Sequence, residues 1–189
     1  MPVVPMLVAL YLAERRDRLM VGDLHTGLIV RVRDSFVDDN GSMFGAILGI
    51  VPVVNVRGTP SIAMAALQRY LAESMWFPTV LLPSQGVSWT TVNDRAARAT
   101  LRSGSIAASV EFRFGADGLI ESVFVPDRMY DDGRSEPAPQ RGQGRSLTYE
   151  EQHGMLVPPD AVVEWLLPQG TYAYWRARPT TVEYEYGTR

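Results

Sequence analysis

Three groups of side chains in this 189-residue sequence have the types and spacing to do chemistry. The first is Glu151 and His153 in Tyr149-Glu-Glu-Gln-His153. On a strand they share a face, where they can form an acid–base pair or supply two ligands to a metal ion. The plainer reading is a solvated strand end before Gly154. The only other histidine, His25, precedes Thr26-Gly27 in an expected turn, so a three-histidine site is excluded. The second group is Arg69 and Glu73, four apart on an expected helix, where guanidinium and carboxylate can meet. They read as surface decoration worth about 0.2–0.5 kcal/mol. On a helix in the concave side of a sheet they would instead anchor a polar ligand head, because arginine presents a fixed donor fork. The third group is aromatic: Tyr70, Trp76, Phe77, Trp89, Trp165 and Trp175. Such residues line small-molecule sites whose few polar groups fix orientation, and they equally fill cores. Strand alternation puts Tyr172 and Tyr174 on one face with Arg176 and Arg178, and Trp175 on the other.

Several chemistries are excluded. The chain has no cysteine, hence no disulfide, thiol nucleophile or Cys-based metal site. P-loop, Gly-x-Gly-x-x-Gly, His-Glu-x-x-His and Gly-x-Ser-x-Gly strings are absent, so no cofactor and no metal is expected. Asp34 and Asp117 read as structural. Every basic side chain apart from the histidines is arginine, and the net charge of −3 argues against generic nucleic-acid binding. The apolar run Val3 to Leu12 is too short for a bilayer core of about 30 Å and lacks the flanks of a signal peptide. A cytoplasmic protein without stable membrane insertion is expected.

The elements that must position these residues follow from periodicity. At 46% hydrophobic and 21% charged, the composition is that of one soluble domain spanning residues 1–189. Residues 1–27 read as a helix or a partial strand. From Leu28, Val30 and Val32 alternate with Arg31 and Arg33 as in a strand with one wet face, and Asp38-Asp39-Asn40-Gly41 suits a hairpin. Thr59 as N-cap, Pro60 at the first helical position and the stripe Ile62, Ala66, Leu67, Tyr70, Leu71 predict a helix that Pro78 ends or kinks. The apolar block Trp76, Phe77, Val80, Leu81, Leu82 then has to be buried or face a ligand. The second half reads as antiparallel sheet, ending in a strand over Thr181 to Tyr186. Residues 127–145 are polar, rich in Gly and Pro and without periodicity, which predicts a flexible loop or lid. The fold class is α+β: a curved antiparallel sheet of about nine strands, a half-barrel, wrapping one or two helices.

Arg69-Tyr-Leu-Ala-Glu-Ser-Met-Trp-Phe-Pro-Thr-Val-Leu-Leu82, together with Asp34-Ser-Phe-Val, Ala116-Asp-Gly-Leu-Ile, His153-Gly-Met-Leu-Val-Pro and Leu167-Pro-Gln-Gly-Thr-Tyr-Ala-Tyr-Trp175, resembles a bacterial family of unknown function from about Leu28 to Tyr186. The resemblance implies a curved antiparallel sheet similar to the lipoprotein-localisation-factor (Lol-type) carriers, in which a half-barrel wraps helices around an apolar cavity. Members of that family commonly carry more structure before the equivalent of Leu28, whereas 27 residues precede it here. That departure implies an open first sheet edge and a homodimer formed through it.

These readings converge on a module that binds a hydrophobic small molecule or lipid-like ligand between sheet and helix. Tyr70, Trp76, Phe77, Trp89, Trp165 and Trp175 would be walls, with Arg69 and Glu73 as polar anchors. The alternative is an enzyme in the same cavity, an isomerase or cyclase, or a hydrolase using Glu73 or the Glu151/His153 pair. A third reading is a subunit whose apolar surface meets a partner chain.

Overall fold

Alternating apolar and polar residues make most of this chain a succession of strands, and one capped amphipathic segment makes its α-helix. The computed structural model describes residues 4–12, 18–26, 30–37, 39–47, 50–130, 136 and 138–179. In chain order come β1 (Val4–Leu12), β2 (Arg18–Thr26), β3 (Val30–Val37), β4 (Asn40–Ile47) and β5 (Val51–Arg57), then α1 (Pro60–Ala72). After three short 3₁₀ turns follow β6 (Val87–Asn93), β7 (Ala96–Ser103), β8 (Ile106–Phe114), β9 (Ile120–Tyr130) and β10 (Ala138–Arg145). The chain then runs through β11 (Glu150–Gln152), β12 (Met155–Val157), β13 (Ala161–Leu167) and β14 (Gly170–Pro179).

Among the described residues, twelve strands form one sheet in the order β5-β4-β3-β2-β1-β14-β13-β10-β9-β8-β7-β6, and β11 and β12 form a separate hairpin. Every pairing is antiparallel except β1 with β14, which run parallel and join the two halves of the sheet. The expected α+β class with a mostly antiparallel sheet is what the structure has. The strand count is higher than the expected nine for two reasons. The N-terminal segment, read as helix or partial strand, forms two strands, because pairing with distant β14 overrides a chance helical spacing of Leu7, Leu10 and Tyr11. The segment 127–145, read as one loop, holds the end of β9 and all of β10. Its Gly142 and Gly144 are strand residues opposite Trp165 and Val163. The strand expected over Thr181 to Tyr186 lies outside the described residues. The edge expected near Leu28 is not an edge, since β2 and β1 continue the sheet there; its ends are β5 and β6.

The helix begins as its sequence dictates. Thr59 Oγ1 accepts from the Ile62 N–H at 3.3 Å, and Pro60 occupies the first turn. Ala63, Ala66, Leu67, Tyr70 and Leu71 are buried as one stripe. This face meets β3 and β4 near one end of the sheet and β7, β8 and β9 near the other. Strands β4 and β8 stand eight positions apart, about 38 Å if flat, whereas thirteen helical residues span only about 20 Å. Both can touch α1 only because the sheet curves round it. The turn before β4 agrees, since the Asp39 carboxyl lies against Gly104 in the β7–β8 turn.

Contact between helix and sheet is closest at Gly41, where an added Cβ would stand 2.6 Å from the Ala63 backbone. Gly41→Ala is therefore expected to push α1 off β4 and to cost about 1–3 kcal/mol in urea unfolding. A stability equal to wild type would show that the helix seat is loose.

Candidate functional site

The last turns of α1 bring Gln68, Arg69 and Glu73 over the neighbouring strands β9, β10, β13 and β14. Strict alternation would not aim the right residues back at them, but two β-bulges do. One lies where β9 pairs with β10, between Gln140 and Gly142; the other lies where β13 pairs with β14, between Val163 and Glu164. Each inserts an extra residue and re-aims the side chains beyond it. Asp127, in step with the core residues Val123 and Val125, accepts from the Gln68 side-chain amide at 2.8 Å, and the first bulge brings the next residue, Arg128, to the helix side as well. Tyr174 sits at the second bulge and stacks on Trp165, with ring centroids 5.7 Å apart and an interplanar angle of 26°.

A guanidinium and three rings thus make one assembly. The Arg128 Cζ lies 4.7 Å from the centre of the Trp165 ring and 5.5 Å from that of Tyr174, and its Nη1 donates to the Tyr174 hydroxyl. Tyr130 meets Trp165 edge-on at 5.0 Å. Gly142 lies beside it, where a Cβ would stand in ordinary contact with the Arg128 Cδ, at 3.4 Å.

Electrostatics couple the strands to the helix. Burial pushes the Glu73 carboxyl above the usual glutamate range, opposed by the positive charges of Arg69 and then Arg128. Burial likewise lowers the Arg69 guanidinium; Glu73 opposes that shift, and the like charge of Arg128 adds to it. Arg69, Glu73, Arg128 and Tyr174 form one half-buried, electrostatically coupled cluster in which the charges of both arginines act on the Glu73 carboxylate.

The sign of the Glu73 shift has a measurable consequence. The folded chain holds this proton more tightly than the unfolded chain, so the associated stability is complete below the ordinary glutamate pKa and is lost as pH rises through the folded value. The stability of wild type minus that of Glu73→Gln should fall with rising pH across this window, measured by urea unfolding at a series of pH values. A difference that is flat or rises would contradict it.

Of the eight residues singled out in the sequence, the structure brings Arg69, Glu73 and Trp165 together here. Tyr70, Trp76 and Phe77 are buried in the main core, with the Tyr70 and Phe77 rings 5.9 Å apart. The Trp76 indole N–H donates to the Pro158 carbonyl at 2.9 Å. Trp89 packs beside Phe112 and Phe114 and donates to the Leu81 carbonyl at 3.0 Å, far across the sheet from Trp165. Trp175 packs against the core, and among the described residues its indole N–H has no acceptor. The alternation placing Tyr174 opposite Trp175 fails because the bulge falls between them and their partners.

Glu151 and His153 do not share a strand face. The strand ends at Gln152, and His153 is an exposed turn residue with φ of 51°. Among the described residues no three His, Cys, Asp or Glu side chains are grouped to hold a metal ion. Sequence reasoning missed Gln68, Asp127, Arg128, Tyr130 and Tyr174. The available signal was the alternation Arg128-Met-Tyr130 at the start of the supposed loop, which continues β9.

Among the described residues no helix is long and apolar enough to cross a membrane. A family model described as a family of unknown function (DUF6920) matches residues 20–184. No curated protein and no solved structure matches the chain. The expected family resemblance and the curved antiparallel sheet are therefore found, whereas similarity to the Lol-type carriers is not.

Proposed function

The chain belongs to this family of unknown function, and from its site we propose a binding module that holds a hydrophobic, lipid-like molecule between α1 and the curved sheet, with an anionic head on Arg69 and Arg128. One observation carries the reading: the charges of Arg69 and Arg128 both act on the Glu73 carboxylate in a half-buried place beside stacked Trp165 and Tyr174. Positive charge withdrawn in part from water is stabilised by an anion, and arginine forks suit carboxylate or phosphate. Glu73 occupies the position such a head would take. In this reading the sheet acts as a half-barrel around α1, analogous in architecture to the Lol-type carriers, and the cytoplasm is a sufficient setting because nothing in the site needs an oxidising compartment.

Titrating the intrinsic fluorescence with decanoate and with decanol tests the proposal. Decanoate should bind about tenfold tighter, since hydrogen bonds to charged groups contribute about 1.5–3 kcal/mol. Saturable binding of neither would overturn the reading. The raised proton affinity of Glu73 favours a second reading, an enzyme that uses Glu73 as general acid or base on an apolar substrate. Lost turnover with retained decanoate binding in Glu73→Gln would select it. We also propose that self-association uses β5, where Ile47, Ile50, Val51 and Val56 are exposed at the sheet edge. Light scattering that reports only monomer would remove that part.

A further inference from the structure

The face of the sheet turned away from α1 carries arginines from several strands. Arg98 lies opposite Glu111, and Arg113 and Arg141 cover the two sides of Phe124, each with its Cζ 4.5 Å from the ring centre. Arg145 grips the buried Glu164 carboxylate at 3.0 and 3.1 Å, Arg176 pairs in register with Val162, and Arg178 lies 4.0 Å from Asp160. Among the described residues, Glu111, Glu164 and Asp160 on this face are each already engaged by an arginine. Positive charge is thus concentrated on one face of a chain whose net charge is −3.

Apolar side chains flank it. Met129, opposite Pro139 at the start of β10, is 52% exposed, and Leu147, just past its end, is 75% exposed. Arg141 and Arg145 lie between them along the strand.

We propose that this outer face docks on the surface of a bilayer containing anionic lipids. Arginine forks meet lipid phosphates, and the exposed Met129 and Leu147 enter the boundary between headgroups and acyl chains, a combination of charge and apolar burial that gives reversible surface binding. A nucleic acid fits less well. The ring beside these arginines, Phe124, is covered by two guanidiniums and offers no base a stacking platform. The outer side of a curved sheet is also convex, so it meets a plane along more of its surface than it meets another rod.

The test is flotation of the full chain with vesicles of phosphatidylcholine alone and of phosphatidylcholine with phosphatidylglycerol. Binding is expected only to the anionic vesicles, and it should weaken steeply between about 0.1 M and about 1 M salt as the Debye length shrinks. Arg141→Gln/Arg176→Gln should reduce binding about tenfold or more. Arg57→Gln/Arg95→Gln, which removes equal charge at the β5 edge and in the β6–β7 turn, away from Phe124, Arg141 and Arg176, should leave it unchanged. Equal binding to neutral vesicles, no binding, equal loss in the second variant, or preference for duplex DNA at matched phosphate concentration would each overturn the proposal. Should the first variant lose its far-ultraviolet circular dichroism, the lipid and salt dependence of the wild-type chain decides the question.

Discussion

Arg128→Ala is expected to bind decanoate about 10- to 100-fold more weakly than the wild-type chain while binding decanol equally well. The guanidinium is held by the Tyr174 hydroxyl and by the faces of Trp165 and Tyr174, so it is fixed before any ligand arrives. Removing it deletes a charged, preorganised donor, and hydrogen bonds to charged groups contribute about 1.5–3 kcal/mol. Arg128→Lys should fall between the two, because an ammonium keeps the charge but neither the fork nor the stacking plane. An equal loss for decanol would mean that the variant had damaged the walls rather than the head site.

Trp76→Ala should lower stability by about 3–5 kcal/mol, the range for truncating a large buried aromatic. Its side chain is 4% exposed, and the substitution also strips the Pro158 carbonyl of its indole donor. Urea unfolding monitored by circular dichroism reads this directly. A loss below about 1 kcal/mol would place Trp76 against a void or a ligand rather than in solid core. The contrast with Trp165 matters, because Trp165 lies beside the charged cluster and its replacement should act more on binding.

Much of the fold was legible in local pattern. The Thr59 cap, Pro60 and the Ala66–Leu67–Tyr70 stripe specify α1, and the alternations in β3, β8 and β9 appear in the sequence as they do in the sheet. The i, i+4 spacing of Arg69 and Glu73 likewise brought out half of the charged cluster. The other half was hidden because it depends on bulges. A one-residue insertion reverses which face every later residue occupies, and no periodicity announces where it falls. Tyr174 was therefore assigned to the wrong side, and Arg128 was lost in a segment whose glycines read as loop. Gly142 and Gly144 are nonetheless ladder residues, opposite Trp165 and Val163, which is visible only once β10 and β13 are paired. The N-terminal strands were ambiguous for a related reason, since one of the two partners of β1, β14, is more than 160 residues away in sequence.

Native mass spectrometry of the natively purified chain, beside a denatured and extracted sample, is the most direct test of an anionic, apolar ligand held at Arg69 and Arg128. The expected result is a mass excess that disappears on denaturation, an acidic amphiphile in the extract, and no excess in Arg69→Ala/Arg128→Ala. An empty wild-type chain that also binds neither decanoate nor decanol would contradict it, and would make the Arg69, Glu73 and Arg128 cluster an internal brace between helix and sheet.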